Sequence, residues 1–227
     1  MRLKNSKTLL KVELKIISNK VNDDKKTEAT SEDVDAVLCA HNSEESPEHE
    51  VKPGMLYLSF PSELGTIYSK EELNGLKAVC LKWGIPMFID GARLGYGLEA
   101  EDCDITLSEL AAIADIFYIG GTKQGALFGE AVVIRNEAYK AGFRYNIKQN
   151  GGLLAKGRLL GIQFSALLED GLYWDLARNA DRIADRIREA LREKGYGFLA
   201  ENRTNQVLPI LPDEAVEKLS ENFGIEK

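Results

Sequence analysis

Met87-Phe-Ile-Asp-Gly-Ala-Arg93 and Asp115-Ile-Phe-Tyr-Ile-Gly-Gly-Thr-Lys123 are the two stretches of sequence that decide the fold of this chain. Each contains a short apolar run typical of a buried strand, and each turns polar or glycine-rich directly after that run. In open α/β sheets, ligands bind outside the carboxyl ends of the strands. The sequence therefore predicts that Asp90 and Lys123 face a ligand at one edge of a sheet.

A carboxylate and an amine at that edge match the requirements of pyridoxal 5'-phosphate (PLP). This cofactor needs a lysine that forms a Schiff base with its aldehyde and an acid that keeps its pyridine nitrogen protonated. Glycines around Lys123 permit close backbone approach to a ligand, so Lys123 is the predicted amine and Asp90 the predicted acid. Two alternatives stay open: Asp90 could be a strand-end turn residue, and Lys123 an ordinary surface lysine.

Four segments resemble the threonine aldolase and β-eliminating lyase family of fold-type-I PLP enzymes: in chain order, Pro61–Lys70, Asp90–Leu94, Gly121–Gly129 and Leu154–Gly161. The resemblance implies an α/β fold, a three-layer α/β/α sandwich with a mostly parallel sheet, followed by the start of a small α+β domain. It implies PLP as cofactor, a small β-hydroxy or β-substituted amino acid as substrate, and a homodimer or homotetramer for a complete member.

The resemblance also suggests roles for further residues. Arg93 matches a family arginine at the phenolic oxygen of PLP, where a fixed positive charge favours the ionised oxygen. Its alternative is a structural ion pair. Thr122 would offer its hydroxyl to the phosphate, or is a simple loop threonine.

Lys156 lies where the family places a basic residue for a neighbouring subunit's phosphate. Because the arginine expected near Leu154 is absent, an ordinary surface lysine stays open, and Arg144 is a weaker candidate of the same kind.

The implied activity is that of a PLP-dependent lyase, by threonine aldolase-like C–C cleavage or by β-elimination. An aminotransferase of the same fold would use the same two residues. The competing hypothesis is an inactive fragment or pseudoenzyme, because the family's N-terminal phosphate loop and its C-terminal carboxylate-binding arginine have no counterpart here. His41 and His49 lie in a polar region predicted to be a surface connection, so neither is expected to stack on the ring.

Hydrophobic periodicity and capping signals predict alternating strands and helices. The predicted strands are Val12–Ile17, Met55–Ser59, Ile85–Asp90, Asp115–Ile119 and Glu130–Ile134. The predicted helices are Ser31–Ala40 with Ser31 as its cap, Ser69–Trp83 with a capping box of Ser69 and Glu72, and Leu107–Ala114. Two further helices are predicted within 151–194, separated by a break near Asp170 and Gly171.

Two domains are expected. Residues 1–194 form a partial PLP-binding large domain, in which 1–11 are unassigned and 42–53 are a polar loop. Residues 195–227 begin a small α+β domain with strands Tyr196–Ala200 and Gln206–Leu211 and a helix Asp213–Phe223. The long helix before residue 194 is expected to bury Ala180, Ile183, Ala184, Ile187 and Leu191, and to turn its charged residues towards solvent.

Composition excludes several classes of function. A net charge of −7 over 227 residues argues against nucleic-acid or anionic-membrane partners, which require a basic patch. No apolar run approaches the ~20 residues of a bilayer span, and no signal peptide is evident, so a cytoplasmic location is predicted.

Three widely spaced cysteines suggest reduced thiols. The acidic stretch Glu101–Asp104 is expected to be a solvated loop, and no metal site is predicted.

Overall fold

A four-stranded sheet forms the centre of the protein. The computed structural model describes residues 29–223, so the predicted strand Val12–Ile17 lies outside the described residues. Strands β1 (Leu56–Ser59), β2 (Met87–Asp90), β3 (Ile116–Gly120) and β4 (Glu130–Ile134) are adjacent in chain order. The first three are parallel, and β4 runs antiparallel to β3. The predicted α/β fold with a mostly parallel sheet is confirmed.

Eight α-helices and a short two-stranded ribbon complete the described part of the chain. The helices are α1 (Ser31–Ser43), α2 (Lys70–Trp83), α3 (Leu94–Leu98), α4 (Leu107–Ile113), α5 (Phe143–Gln149), α6 (Arg158–Leu168), α7 (Leu172–Glu193) and α8 (Asp213–Ser220). Strands β5 (Gly197–Phe198) and β6 (Pro209–Ile210) pair antiparallel and are shorter than predicted. The proposed domain boundary at residue 194 stays a prediction.

Local capping chemistry sets the start of α2 as predicted. The Ser69 hydroxyl accepts from the Glu72 amide, the Glu72 carboxylate accepts from the Ser69 amide, and Gly84 ends the helix in the left-handed region at φ 66°. The predicted cap of α1 is wrong. Thr30 is the N-cap, because Asp33 three residues later completes a capping box with it, and Ser31 is the first helical residue.

The helix α1 also continues beyond its predicted end, and this changes the environment of one histidine. His41 is buried on α1 instead of lying in a surface connection, and its Nδ1 is 3.5 Å from Glu50 Oε2. The prediction of a surface position for His41 was wrong because the helix carries it into the core face, whereas His49 is exposed in a short 3₁₀ turn.

Side chains alternate between the two faces of the sheet. Leu58, Met87, Ile89 and Phe117 join the buried core, together with side chains of α1, α2 and α4. The alternate residues Tyr57, Phe88, Tyr118 and Val132 point to the opposite face, where Tyr57 and Val132 are exposed. Asp90 shares that second face, because it lies two residues after Phe88.

The buried face of α7 differs from the predicted one. Ile183 and Ile187 are 43% and 48% exposed, and the buried side chains are Tyr173, Ala177, Asp181, Ala184 and Arg188. Two ionisable residues, Asp181 and Arg188, are thus buried on a helix whose charged residues were expected to face solvent. For Arg188 the reason is tertiary, because its Nη1 donates to the Thr204 carbonyl at 3.0 Å, an acceptor supplied by a segment that follows the helix. The predicted break before α7 is confirmed, with left-handed backbone at Asp170 and Gly171.

Candidate active site

The loop after β2 and the loop after β3 lie against each other at the carboxyl ends of the parallel strands. The Gly120 amide donates to the Gly91 carbonyl at 2.8 Å. A Cβ atom on Gly91 would lie 1.9 Å from the Tyr118 carbonyl oxygen, and one on Gly120 would lie 2.3 Å from the Ala92 carbonyl oxygen. Both positions therefore require glycine, and the two glycines bring the loops that carry Asp90 and Lys123 to the same edge of the sheet.

Asp90 is the last residue of β2, and its carboxylate is already held by the protein. Oδ1 accepts from the Ala92 amide at 3.0 Å, which is the turn contact of the alternative interpretation. Oδ2 accepts from the hydroxyl of Tyr57 on β1. Asp90 therefore combines a local turn contact with a tertiary contact from a neighbouring strand, and Tyr118 on β3 lies on the same face of the sheet beside Phe88.

The two phenols are firmly protonated at neutral pH. Burial, followed by the adjacent Asp90 carboxylate, raises the pKa of Tyr57 to about 12. The same two causes raise the pKa of Tyr118. Sequence reasoning missed both tyrosines, because strand register in the folded sheet places them. Tyr57 pairs with Phe88, and Tyr118 lies two residues after Ile116, the other partner of Phe88.

Lys123 is fixed through its backbone, while its side chain is exposed. Its carbonyl accepts from the Tyr96 hydroxyl at 2.6 Å. The next residue, Gln124, is buried, and its Oε1 accepts from the Gly95 amide at 3.0 Å. Within residues 29–223 the Lys123 ammonium makes no hydrogen bond or ion pair, and Thr122 beside it is exposed. The loop is therefore tied to α3, with the amine left available to a ligand.

Arg93 lies at the start of α3, three residues after Asp90. Its Nη1 is 3.9 Å from Glu63 Oε2, and the Glu63 side chain is mostly exposed. At this distance, and with an exposed partner, the contact contributes about 0–1 kcal/mol, so it holds the guanidinium weakly. Arg93 therefore brings a weakly paired positive charge to the chain segment that follows Asp90.

Lys156 is not joined to the Asp90 and Lys123 loops. It is exposed in the turn before α6, and its side chain contacts no partner in the described part of the chain. The helix that follows does support the lysine loop, because Gln163 Oε1 accepts from the Leu127 amide at 2.7 Å. A role for Lys156 across a subunit boundary stays a prediction, as does the weaker one for Arg144.

The acidic stretch Glu101–Asp104 has a structural contact. Asp104 Oδ1 accepts from the Lys70 amide at 2.8 Å, at the first residue of α2. Within residues 29–223, no three His, Cys, Asp or Glu side chains are grouped so that they could hold a metal ion. None of the helices in that range is long and apolar enough to cross a membrane.

These features define an open-sheet α/β protein with a candidate ligand site at the carboxyl ends of its parallel strands. Residues 12–213 match the sequence model of the β-eliminating lyases. The chain belongs to the β-eliminating lyase family.

Two threonine aldolases are among its relatives. A low-specificity L-threonine aldolase of Pseudomonas aeruginosa is 30% identical over 172 residues, which are 75% of this chain and 50% of that protein. The solved threonine aldolase of Leishmania major is 38% identical with a TM-score of 0.82, over 87% of this chain and 57% of that one. The chain spans about half the length of the curated relatives it matches.

A more distant structure shares the fold alone. A PLP-bound aminotransferase-like protein of Clostridium difficile is 14% identical with a TM-score of 0.56, over 77% of this chain and 44% of that one.

Proposed function

We propose that this protein acts as a PLP-dependent lyase on a small β-hydroxy or β-substituted amino acid. The observation that carries the proposal is the contact between Gly91 and Gly120, which brings an acid-bearing loop and a lysine-bearing loop to one sheet edge. Membership of the β-eliminating lyase family supports the same reaction class. Because the chain spans about half of its curated relatives, the proposal concerns the site these residues contribute.

The residues present fit PLP chemically. Asp90 offers a carboxylate for a protonated ring nitrogen, Lys123 an exposed amine for the aldehyde, and Arg93 a weakly paired guanidinium for the phenolic oxygen. Thr122 is exposed next to the lysine and can offer its hydroxyl to the phosphate. When bound, PLP supplies an electron sink for the charge that develops at the substrate Cα.

The chain's own groups would act on that cofactor by position and charge. Asp90 would hold the proton at the pyridine nitrogen, since a carboxylate stabilises a neighbouring cation. Arg93 would keep the phenolic oxygen ionised by its positive charge. Lys123 would attach the cofactor through Nζ, because its loop is anchored at the backbone by Tyr96 and Gln124 while its side chain extends into solvent.

Threonine cleavage to glycine and an aldehyde is the reaction we place first, because both the Pseudomonas and the Leishmania relatives are named threonine aldolases. The runner-up is β-elimination, which would release ammonia and a keto acid from the same substrate. Aldehyde and ammonia are therefore to be measured in parallel on threonine. Release of ammonia without aldehyde would replace the first assignment with the second.

The test of the cofactor site is covalent trapping. The chain is incubated with PLP, reduced with borohydride and digested, and the modified peptide is mapped. We expect the pyridoxyl group on Lys123 and none in Lys123→Ala. Lys52→Ala is the matched control, since Lys52 is also exposed and has no predicted role in the site, and it should label normally. Labelling at Lys156, or undiminished labelling of Lys123→Ala, would contradict the assignment.

A further inference from the structure

Three aromatic rings form a row across the sheet face that carries Asp90. Tyr57 on β1 stacks on Phe88 of β2 with ring centroids 5.2 Å apart and an interplanar angle of 7°. Tyr118 on β3 meets the other side of Phe88 at 6.0 Å and 59°. Each ring belongs to a strand of the parallel part of the sheet. Packing of the three rings against one another therefore fixes the positions of the two phenolic oxygens.

The polar ends of the two outer rings converge on the Asp90 carboxylate. Tyr57 donates its hydroxyl proton to Oδ2. Burial and then the Asp90 carboxylate raise the pKa of Tyr118, whose ring lies on the other side of Phe88. A phenol beside this carboxylate keeps its proton, so both hydroxyls remain donors on this face of the sheet.

The arrangement leaves the carboxylate with limited capacity for further donors. An ionised carboxylate has about four acceptor sites. The Ala92 amide and the Tyr57 hydroxyl occupy one site on each oxygen. A further donor must use the remaining sites, so its direction is limited by these two contacts.

We propose that Tyr57 and Tyr118 are positioning residues for Asp90, holding its carboxylate in the orientation in which it meets the protonated ring nitrogen of the cofactor. The inference rests on the proposed function and deepens it. Neither tyrosine is required to touch the cofactor. Each acts through Asp90, so the effect of removing its hydroxyl depends on the presence of the Asp90 charge.

The test uses Tyr57→Phe and Tyr118→Phe, which keep the ring row and remove only the hydroxyls. The first measurement is the Kd for PLP, obtained by spectroscopic titration. We expect Tyr57→Phe to raise the Kd by about tenfold, on the scale of a hydrogen bond to a charged group. Tyr118→Phe should raise it less, by about threefold, because it is the Tyr57 hydroxyl that donates directly to Asp90 Oδ2. Tyr139→Phe is the control, since Tyr139 and Tyr57 are both 39% exposed, and its Kd should be unchanged.

A double-mutant cycle separates positioning from general packing. In an Asp90→Asn background, Tyr57→Phe should change the PLP Kd by less than half of its effect in the wild type, because the charge through which Tyr57 acts is gone. A merely structural role would give the same change in both backgrounds. Equal effects of Tyr57→Phe in the two backgrounds, with normal PLP binding by the wild type, would overturn the positioning role alone.

A second readout needs no cofactor. Absorbance of ionised tyrosine is followed at high pH in the chain without PLP. Asp90→Asn should let more phenols ionise below the Tyr57 pKa of about 12, and this gain should vanish when Tyr57→Phe and Tyr118→Phe are added. An Asp90→Asn titration identical to the wild type would overturn the inference. Failure of the wild type to bind PLP, with the phenol shift present, would instead overturn the proposed function.

Discussion

At the scale of single residues, Asp90 carries the clearest expectation for chemistry. Asp90→Asn keeps an oxygen for the Tyr57 hydroxyl but removes the charge that stabilises a protonated ring nitrogen. A charge-assisted contact is worth about 1.5–3 kcal/mol, so turnover of threonine should fall by roughly tenfold or more while Lys123 still binds the cofactor. Turnover and cofactor absorbance are measured on the same samples. Unchanged turnover at normal PLP occupancy would leave Asp90 as a turn residue only.

Also at the scale of single residues, the ionisation of Asp181 makes the stability of the folded protein depend on pH. Its side chain is 4% exposed, and burial, with smaller contributions from Asp185 and Glu99, raises its pKa to about 8 against the opposing effect of Arg188. Because the folded-state pKa exceeds that of the unfolded chain, the folded state binds more protons between pH 4 and 8. The contribution of Asp181 to the free energy of unfolding is therefore fully present at acid pH and is lost as pH rises through that window.

Urea unfolding at pH 5.5 and 7.5 checks this expectation. One group that titrates in this way changes the free energy of unfolding by at most about 1.4 kcal/mol per pH unit. Wild type should lose stability over the interval, and Asp181→Asn should lose less. Asp175→Asn, an exposed position on the same helix, is the control and should follow the wild type. Identical pH slopes in wild type and Asp181→Asn would contradict the prediction.

At the scale of elements, the loops after β2 and β3 contact each other so closely that a side chain does not fit between them. Gly120→Ala would place a Cβ 2.3 Å from the Ala92 carbonyl oxygen, a backbone atom that cannot rotate away. We expect this variant to lose PLP binding and to be destabilised by about 1–3 kcal/mol, as for other overpacked sites. Gly197→Ala is the control, because a Cβ there meets nothing within 4 Å. PLP binding by Gly120→Ala at wild-type affinity would show that the loops need not touch.

At the scale of the whole molecule, exposed apolar side chains lead us to propose assembly of several copies. Leu127 and Ile162 are 83% and 58% exposed, with Leu159 exposed one turn before Ile162 on α6. A homodimer or homotetramer is the proposed state.

Light scattering after size-exclusion chromatography tests this assembly. The double variant Leu159→Lys, Ile162→Lys should shift the mass towards the monomer, because two charges on the apolar face oppose its burial. Leu81→Lys on α2, at another strongly exposed leucine, should leave the mass unchanged. A monomeric wild type at all concentrations, with a cooperative melt, would rule out the proposed association.

Local signals in the sequence determined a large part of this protein. The capping box of Ser69 and Glu72 and the terminal Gly84 define α2 through contacts within a few residues, so sequence reasoning found them. The apolar runs ending at Asp90 and before Lys123 were likewise sufficient to place both residues at strand ends. Family membership followed from the motifs around those residues, because their spacing is written in the chain itself.

Only the tertiary structure decided which distant groups meet. The Tyr57 hydroxyl reaches Asp90 from another strand, 33 residues earlier in the chain, and Tyr118 joins the same face from a third strand through its contact with Phe88. No local pattern encodes that arrangement. The buried face of α7 likewise depends on the Thr204 carbonyl. Its hydrogen bond from Arg188 offsets the cost of burying that side chain, where periodicity predicted an apolar face. Periodicity reports what a segment can bury, whereas hydrogen-bond partners brought from elsewhere in the chain decide which polar groups are buried with it.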